Sequence, residues 1–237
     1  LDLFDSITHQ QMVTYHHARY RPDNTFIVLS GGFNPRNAKE IIARELAKGL
    51  RPFAQFPVSV PIESTQIGTR RVSESFTVPS TRFSMSWQVG DLAHPDTPAL
   101  ELLGTVLGGG RSSPLYRVIR EEKDLAHSIG SYAWISPEGP GLFSVYAEAD
   151  PEKIPQLEKE IITQITLLSS RDLSVEIKRA RRQIASQQFK ILASASGRAS
   201  DLASNWHQTR NLDYTRDFLA DLESITTEDL HRVIQSW

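Results

Sequence analysis

The strongest constraint on this chain's fold is a change of period in its apolar residues. Val72, Glu74, Phe76 and Val78 are interleaved with Ser73, Ser75 and Thr77, and Phe83, Met85, Trp87 and Val89 with Arg82, Ser84, Ser86 and Gln88. A strand turns successive side chains to opposite faces, so this alternation predicts an antiparallel pair turning at Pro79-Ser80-Thr81. From Thr97 the period becomes helical, with Leu100, Leu103 and Leu107 behind Thr97-Pro98, read as a cap followed by proline, and a stop at Gly108-Gly109-Gly110. A second helix is expected from Ser113-Pro114 to about Lys123, with Leu115, Val118 and Ile119 on one face. Alternation returns over 127–135 and 142–149, around a turn at 136–141. Everything later reads as helix. Ile154, Leu157, Ile161, Ile165 and Leu168 line one helix, Ile177, Ala180, Ile184 and Ile191 line a second over 174–194, and two or three more cover 197–236.

Upstream, Phe26–Ser30 is an apolar run of strand type closed by Gly31-Gly32, and Asn34 caps a helix expected over 35–50. Residues 51–66, with Pro52, Pro57 and Pro61, form a connection. Near each end stands a similar segment: Asp5-Ser6-Ile7-Thr8 with Gln11, and Glu223-Ser224-Ile225-Thr226 with Asp229. Both fit the capping box of a helix start, and their separation of about 218 residues suggests one unit preceded by the tail of another. Residues 1–22 are therefore expected to be the closing helix of a preceding domain and 23–237 a single α/β domain, the chain being a piece of something longer. The element order predicts an α+β fold: a two-layer α/β sandwich with a mostly antiparallel sheet and helices on one face.

Composition narrows the function classes. With 237 residues, 39% hydrophobic and 23% charged, the chain is no collagen and no disordered segment, and its lack of cysteine rules out a disulfide scaffold. No apolar run reaches the ~18 residues that a membrane-spanning helix needs. A net charge of −2 offers no basic footprint for nucleic acid. The compartment stays open, a cysteine-free chain suiting a reducing cytosol and an extracytoplasmic, periplasmic space equally well.

The residues that carry hydrolytic chemistry elsewhere do not form a site here. His9, His16, His17, His94, His127, His207 and His231 contain no pair at the helical spacing of a zinc site, and no H-x-x-E-H occurs. The stretch Gly104–Ser112 lacks the lysine and the leading strand of a phosphate loop and reads as a break between helices. Lys178, Arg179, Arg181 and Arg182 read as a solvated helix face. There is no cysteine nucleophile and no serine in a strained elbow.

One segment says more. Gly108-Gly109-Gly110-Arg111-Ser112-Ser113-Pro114-Leu115-Tyr116-Arg117-Val118-Ile119-Arg120-Glu121-Glu122-Lys123-Asp124-Leu125-Ala126-His127-Ser128 resembles the second α/β domain of the pitrilysin (insulinase) family of zinc metallopeptidases. In that signature a glycine-rich turn leads through a Ser-rich cap to a helix ending in an Arg-Glu pair and then Leu-Ala. Tyr20-Arg21-Pro22-Asp23-Asn24 before Phe26–Gly31 is similar to the family's first turn and strand, and Ile225-Thr226 with Asp229-Leu230 to its closing helix.

The resemblance implies the metallohydrolase fold of the mitochondrial-processing-peptidase and pitrilysin type. It also implies two half-molecules that close around an unfolded peptide, with zinc held by H-x-x-E-H on a catalytic half in the same or a separate polypeptide. This chain lacks that motif, so it is expected to bind no cofactor, to be inactive alone, and to help enclose peptide opposite the zinc. In family members an arginine and a tyrosine seven residues later hold the substrate backbone and its carbonyl oxyanion. Arg120 matches the arginine, while His127 stands at the tyrosine position, so Arg120 and His127 are the expected substrate-binding residues. A guanidinium grips carbonyl oxygens through several fixed donors, whereas an imidazole is shorter than a phenol. The alternative is a proteolytically inactive structural or assembly subunit of the same fold.

Overall fold

The two periods of the sequence resolve into an antiparallel sheet backed by helices in a computed structural model, which describes residues 2–48, 61 and 63–237. Three strands are present among the described residues: β1 (Thr81–Val89), β2 (Ser128–Ser136) and β3 (Gly139–Ala149), in the order β1-β3-β2. β2 and β3 form the expected hairpin, with Ser128 opposite Glu148 and Trp134 opposite Leu142. β1 lies on the other side of β3, with Thr81 opposite Ala149 and Val89 opposite Gly141. Phe143, Val145, Ala147 and Ala149 turn inward from β3 and are buried.

The helices are α1 (Asp2–Asp5), α2 (His9–Arg19), α3 (Pro35–Ala47), α4 (Thr97–Gly108), α5 (Ile154–Leu168), α6 (Ser174–Leu192), α7 (Ala195–Thr209), α8 (Tyr214–Ser224) and α9 (Thr227–Ser236). α4 is the central one. Leu100, Leu102, Leu103, Val106 and Leu107 are buried in it, between β2 on one side and α6, α8 and α9 on the other. Gly108 makes that approach possible, since a Cβ there would collide with the Ser131 amide, and Ser131 Oγ donates to the Gly104 carbonyl at 2.9 Å. The glycine run is thus a packing surface as well as a helix stop, Gly110 taking the left-handed φ of +85°. The rest of the core comes from Leu115 and Ile119, from Leu157, Ile161 and Leu168 of α5, and from Leu222, Leu230 and Val233 of α8 and α9.

Both capping boxes form. The Thr8 and Thr226 hydroxyls accept from the Gln11 and Asp229 amides, and the side chains of Gln11 and Asp229 accept in return from the backbone of Thr8 and Thr226. Asn34 caps α3 by accepting from the Arg36 and Asn37 amides. The proline-rich connection expected over 51–66 lies mostly outside the described residues, as does the end of the helix expected to reach residue 50.

Five expectations need correction. Residues 72–78 do not pair with β1, which takes β3 as its neighbour, and Val72, Phe76 and Val78 are exposed. Instead Arg71 is drawn 2.5 Å from Glu158 on α5, and the Gln66 amide donates to Gln88 Oε1 at 2.9 Å. Phe26–Ser30 is extended but joins no strand among the described residues, with Phe26 stacked 6.4 Å from His207. Alternation and apolarity record which face is to be buried, whereas a strand also requires a neighbour's backbone groups. α4 begins with Thr97 as its first residue and Asp96 as its N-cap, the Thr97 hydroxyl donating to the Asp91 carbonyl at 3.0 Å. Leu115–Glu122 is a π-helix, the Lys123 amide reaching the Val118 carbonyl at 3.0 Å. The basic run is only partly solvated: Arg181 donates to the Leu222 and Ile225 carbonyls at 2.7 and 2.5 Å, which ties α6 to the end of α8.

Candidate functional site

Arg120 and His127 lie at the two ends of the passage from the π-helix into β2. Ser113 precedes the π-helix, buried and donating to the Gly110 carbonyl at 2.7 Å. Leu115 and Ile119 anchor the wide turn in the core, which leaves Tyr116 and Arg120 half-buried on its outer side. The chain then turns through Asp124 at a φ of +49°, and the Leu125 amide bonds the Ile119 carbonyl at 2.8 Å. Leu125 and Ala126 bury, and the His127 amide donates to the Glu148 carbonyl at 2.7 Å, opening β2.

The Arg120 guanidinium lies over the Tyr116 ring, 4.7 Å from its centroid, and contacts the Tyr116 hydroxyl. Arg111 approaches the same ring at 5.8 Å. Glu121 is 3.9 Å from Arg120, too far for a strong pair and leaving donors of the guanidinium available. His127 is exposed and pairs through Nε2 with Asp150 Oδ1 at 3.1 Å. Lys153 bridges Asp150 and Asp124, at 3.2 Å from each. The Lys153 ammonium, and after it His127, hold the Asp150 carboxyl below the ordinary carboxylate range, and Asp150 with Asp124 raises Lys153. Arg120 and His127 therefore have separate partners, with no hydrogen bond or ion pair between them among the described residues. The pairing of Asp150 with His127 and of Lys153 with Asp124 is long-range and not legible in linear spacing, whereas Tyr116, four residues from Arg120, lies at a helical spacing.

The other histidines stay apart. His16 stacks on Tyr20 at 4.7 Å, His231 Nε2 is 3.0 Å from the Arg171 carbonyl, and His94 packs edge-on to Trp237 at 5.2 Å. Among the described residues no group of three or more His, Cys, Asp or Glu side chains could hold a metal ion. The His127–Asp150 pair already has an ammonium on its carboxylate, so it does not fit a zinc site.

β2 leads from His127 along an edge of the sheet. On the face away from the helices, Tyr132 and Trp134 of β2 stand opposite Ser144 and Leu142 of β3, next to Tyr146. Outward residues of a half-buried strand are ordinarily polar, so the exposed Tyr132 and Trp134 depart from that pattern.

Comparison with known proteins gives one family. The model described as "Peptidase M16 inactive domain" matches residues 6–184. An uncharacterized zinc protease of Mycobacterium tuberculosis is 26% identical over 243 residues, covering 96% of this chain and 52% of the relative. A protease from Helicobacter pylori superposes with a TM-score of 0.86 at 22% identity, covering 99% of this chain and 57% of the other. A peptidase M16 inactive domain from Pseudomonas fluorescens gives 0.72 at 18% identity, covering 97% and 54%. The chain spans about half the length of these relatives, and the two structures match it in fold.

Proposed function

This chain belongs to the peptidase M16 family as an inactive domain, and on that premise we propose that it forms one wall of a peptide chamber, opposite a catalytic half that carries H-x-x-E-H and zinc. The observation that carries the reading is that Arg120, on the π-helix, and His127, where β2 opens, stand on consecutive elements that lead to a sheet edge with no strand partner among the described residues. Arg120 presents fixed N–H donors to a substrate carbonyl, and His127, steadied by Asp150, offers a second donor. An extended peptide adds main-chain hydrogen bonds along an open sheet edge. The zinc of the partner half supplies the Lewis-acid and water-activating chemistry, while this chain binds and orients. Residues 1–22 belong in this reading to the preceding domain, which suits α2, a helix with no buried side chain.

The test is co-expression with a catalytic half carrying H-x-x-E-H. Replacing Arg120→Ala is expected to lower turnover of a fluorogenic peptide by about 10²–10³-fold, the worth of one oxyanion donor. Unchanged turnover would instead favour an assembly subunit without a proteolytic role. The 237-residue chain alone is expected to bind no stoichiometric zinc and to cleave nothing; chelator-sensitive hydrolysis by it would overturn the proposal.

A further inference from the structure

The helix-free sheet face carries a built aromatic patch whose composition says what kind of peptide it suits. Tyr132, Trp134, Leu142 and Tyr146 are 37–59% exposed, and all four point to this face. Tyr146 lies across Gly130, where a Cβ would meet its hydroxyl oxygen at 2.5 Å and Cζ at 2.7 Å, so the glycine is the floor for the ring. Tyr132 is 5.8 Å from Tyr146, their planes tilted by 51°, and Trp134 continues the row opposite Leu142.

The polar groups nearest the aromatic row are engaged. Ser144, buried between the rows, shares a hydrogen bond with Ser86 at 2.8 Å. Arg82 and Glu148 face one another across the sheet at 3.7 Å and cancel in charge. The row formed by Tyr132, Trp134, Leu142 and Tyr146 itself carries no charged side chain, the exposed Arg82–Glu148 pair standing at one end of it. Beside it runs the outer edge of β2, which has no strand partner among the described residues.

We infer that Tyr132, Trp134, Leu142 and Tyr146 form a specificity platform for an uncharged extended peptide with large apolar or aromatic side chains at alternate positions. The inference rests on the chamber reading and deepens it. The backbone of the peptide pairs with the β2 edge, and every second side chain then falls on the same face as the aromatic row. Charged side chains at those positions find no partner and lose hydration over the rings. Aromatic contacts of this kind supply much of the binding energy at recognition surfaces.

The experiment titrates the 237-residue chain with two labelled peptides, one alternating Phe with Thr and one alternating Lys with Thr, followed by fluorescence anisotropy. The Phe peptide is expected to bind at least about tenfold more tightly, and the double substitution Tyr132→Ser with Trp134→Ser to remove that preference. Both positions are exposed, so the fold is checked by circular dichroism and by the unchanged environment of Trp87 and Trp237. Equal binding of the Phe peptide to chain and variant overturns the platform and leaves the chamber reading standing. Binding of neither peptide by the unsubstituted chain overturns both.

Discussion

Glu101 is the residue whose surroundings say most about stability. It sits on α4, and burial raises its carboxyl from the ordinary 4.5 to about 7. No side-chain hydrogen bond offsets that burial among the described residues, and its charge in turn helps burial push Tyr214 up to about 12. Between about pH 4.5 and 7 the folded chain keeps a proton that the unfolded chain releases, so this group stabilises the fold most below that window. Its contribution, at most about 3 kcal/mol, is lost as pH rises to about 7 and stays lost above it. Glu101→Gln should flatten that dependence, seen as urea midpoints that fall less between pH 5 and 8 than those of the unsubstituted chain. An identical slope would refute the assignment. Glu101 was illegible in the sequence, where one carboxylate among Leu100, Leu102 and Leu103 reads as a helix's solvent face. Arg120 and His127 could be named only through the family resemblance; Tyr116, four residues from Arg120 on the same helix, was within reach of helical spacing, whereas the pairing of His127 with Asp150, 23 residues on, was not.

At the scale of elements, helices were read more faithfully than strands. The α-helix satisfies its backbone within itself, so caps and period suffice to find α3, α5 and α9. The strand expected at 72–78 had its pattern but not its partner, and β1 found one in β3, fifty residues further on. α4 depends on close approach to β2. Gly108→Ala should cost about 2–4 kcal/mol, since the added methyl meets the Ser131 amide backbone rather than a movable side chain. Gly110→Ala tests a different effect, a strained left-handed φ in open space, and should cost only about 1 kcal/mol. Chemical denaturation of the two variants side by side checks the order; equal losses would mean that the helix shifts to absorb the methyl.

On the scale of the whole molecule, the end of the chain is fastened to its centre. Buried Asp96, at the start of α4, accepts from Trp237 Nε1 at 3.1 Å and pairs with Arg232 at 2.7 Å, while His94 packs against the Trp237 ring. Asp96→Ala should cost about 2 kcal/mol and free α9 first, measured as faster amide exchange in α9 than in α4 or β3. Uniform loss of protection would mean that α9 has no separate fastening. By itself the sequence determined the helices, the β2–β3 hairpin, the α+β class and the family, because these follow from period, caps and local motifs. Only the tertiary structure decided the strand order, the aromatic face, the burial of Glu101 and the pairing of His127 with Asp150. Each depends on residues far apart in the chain meeting across a shared surface, and a one-dimensional pattern records which face is buried but not what lies against it.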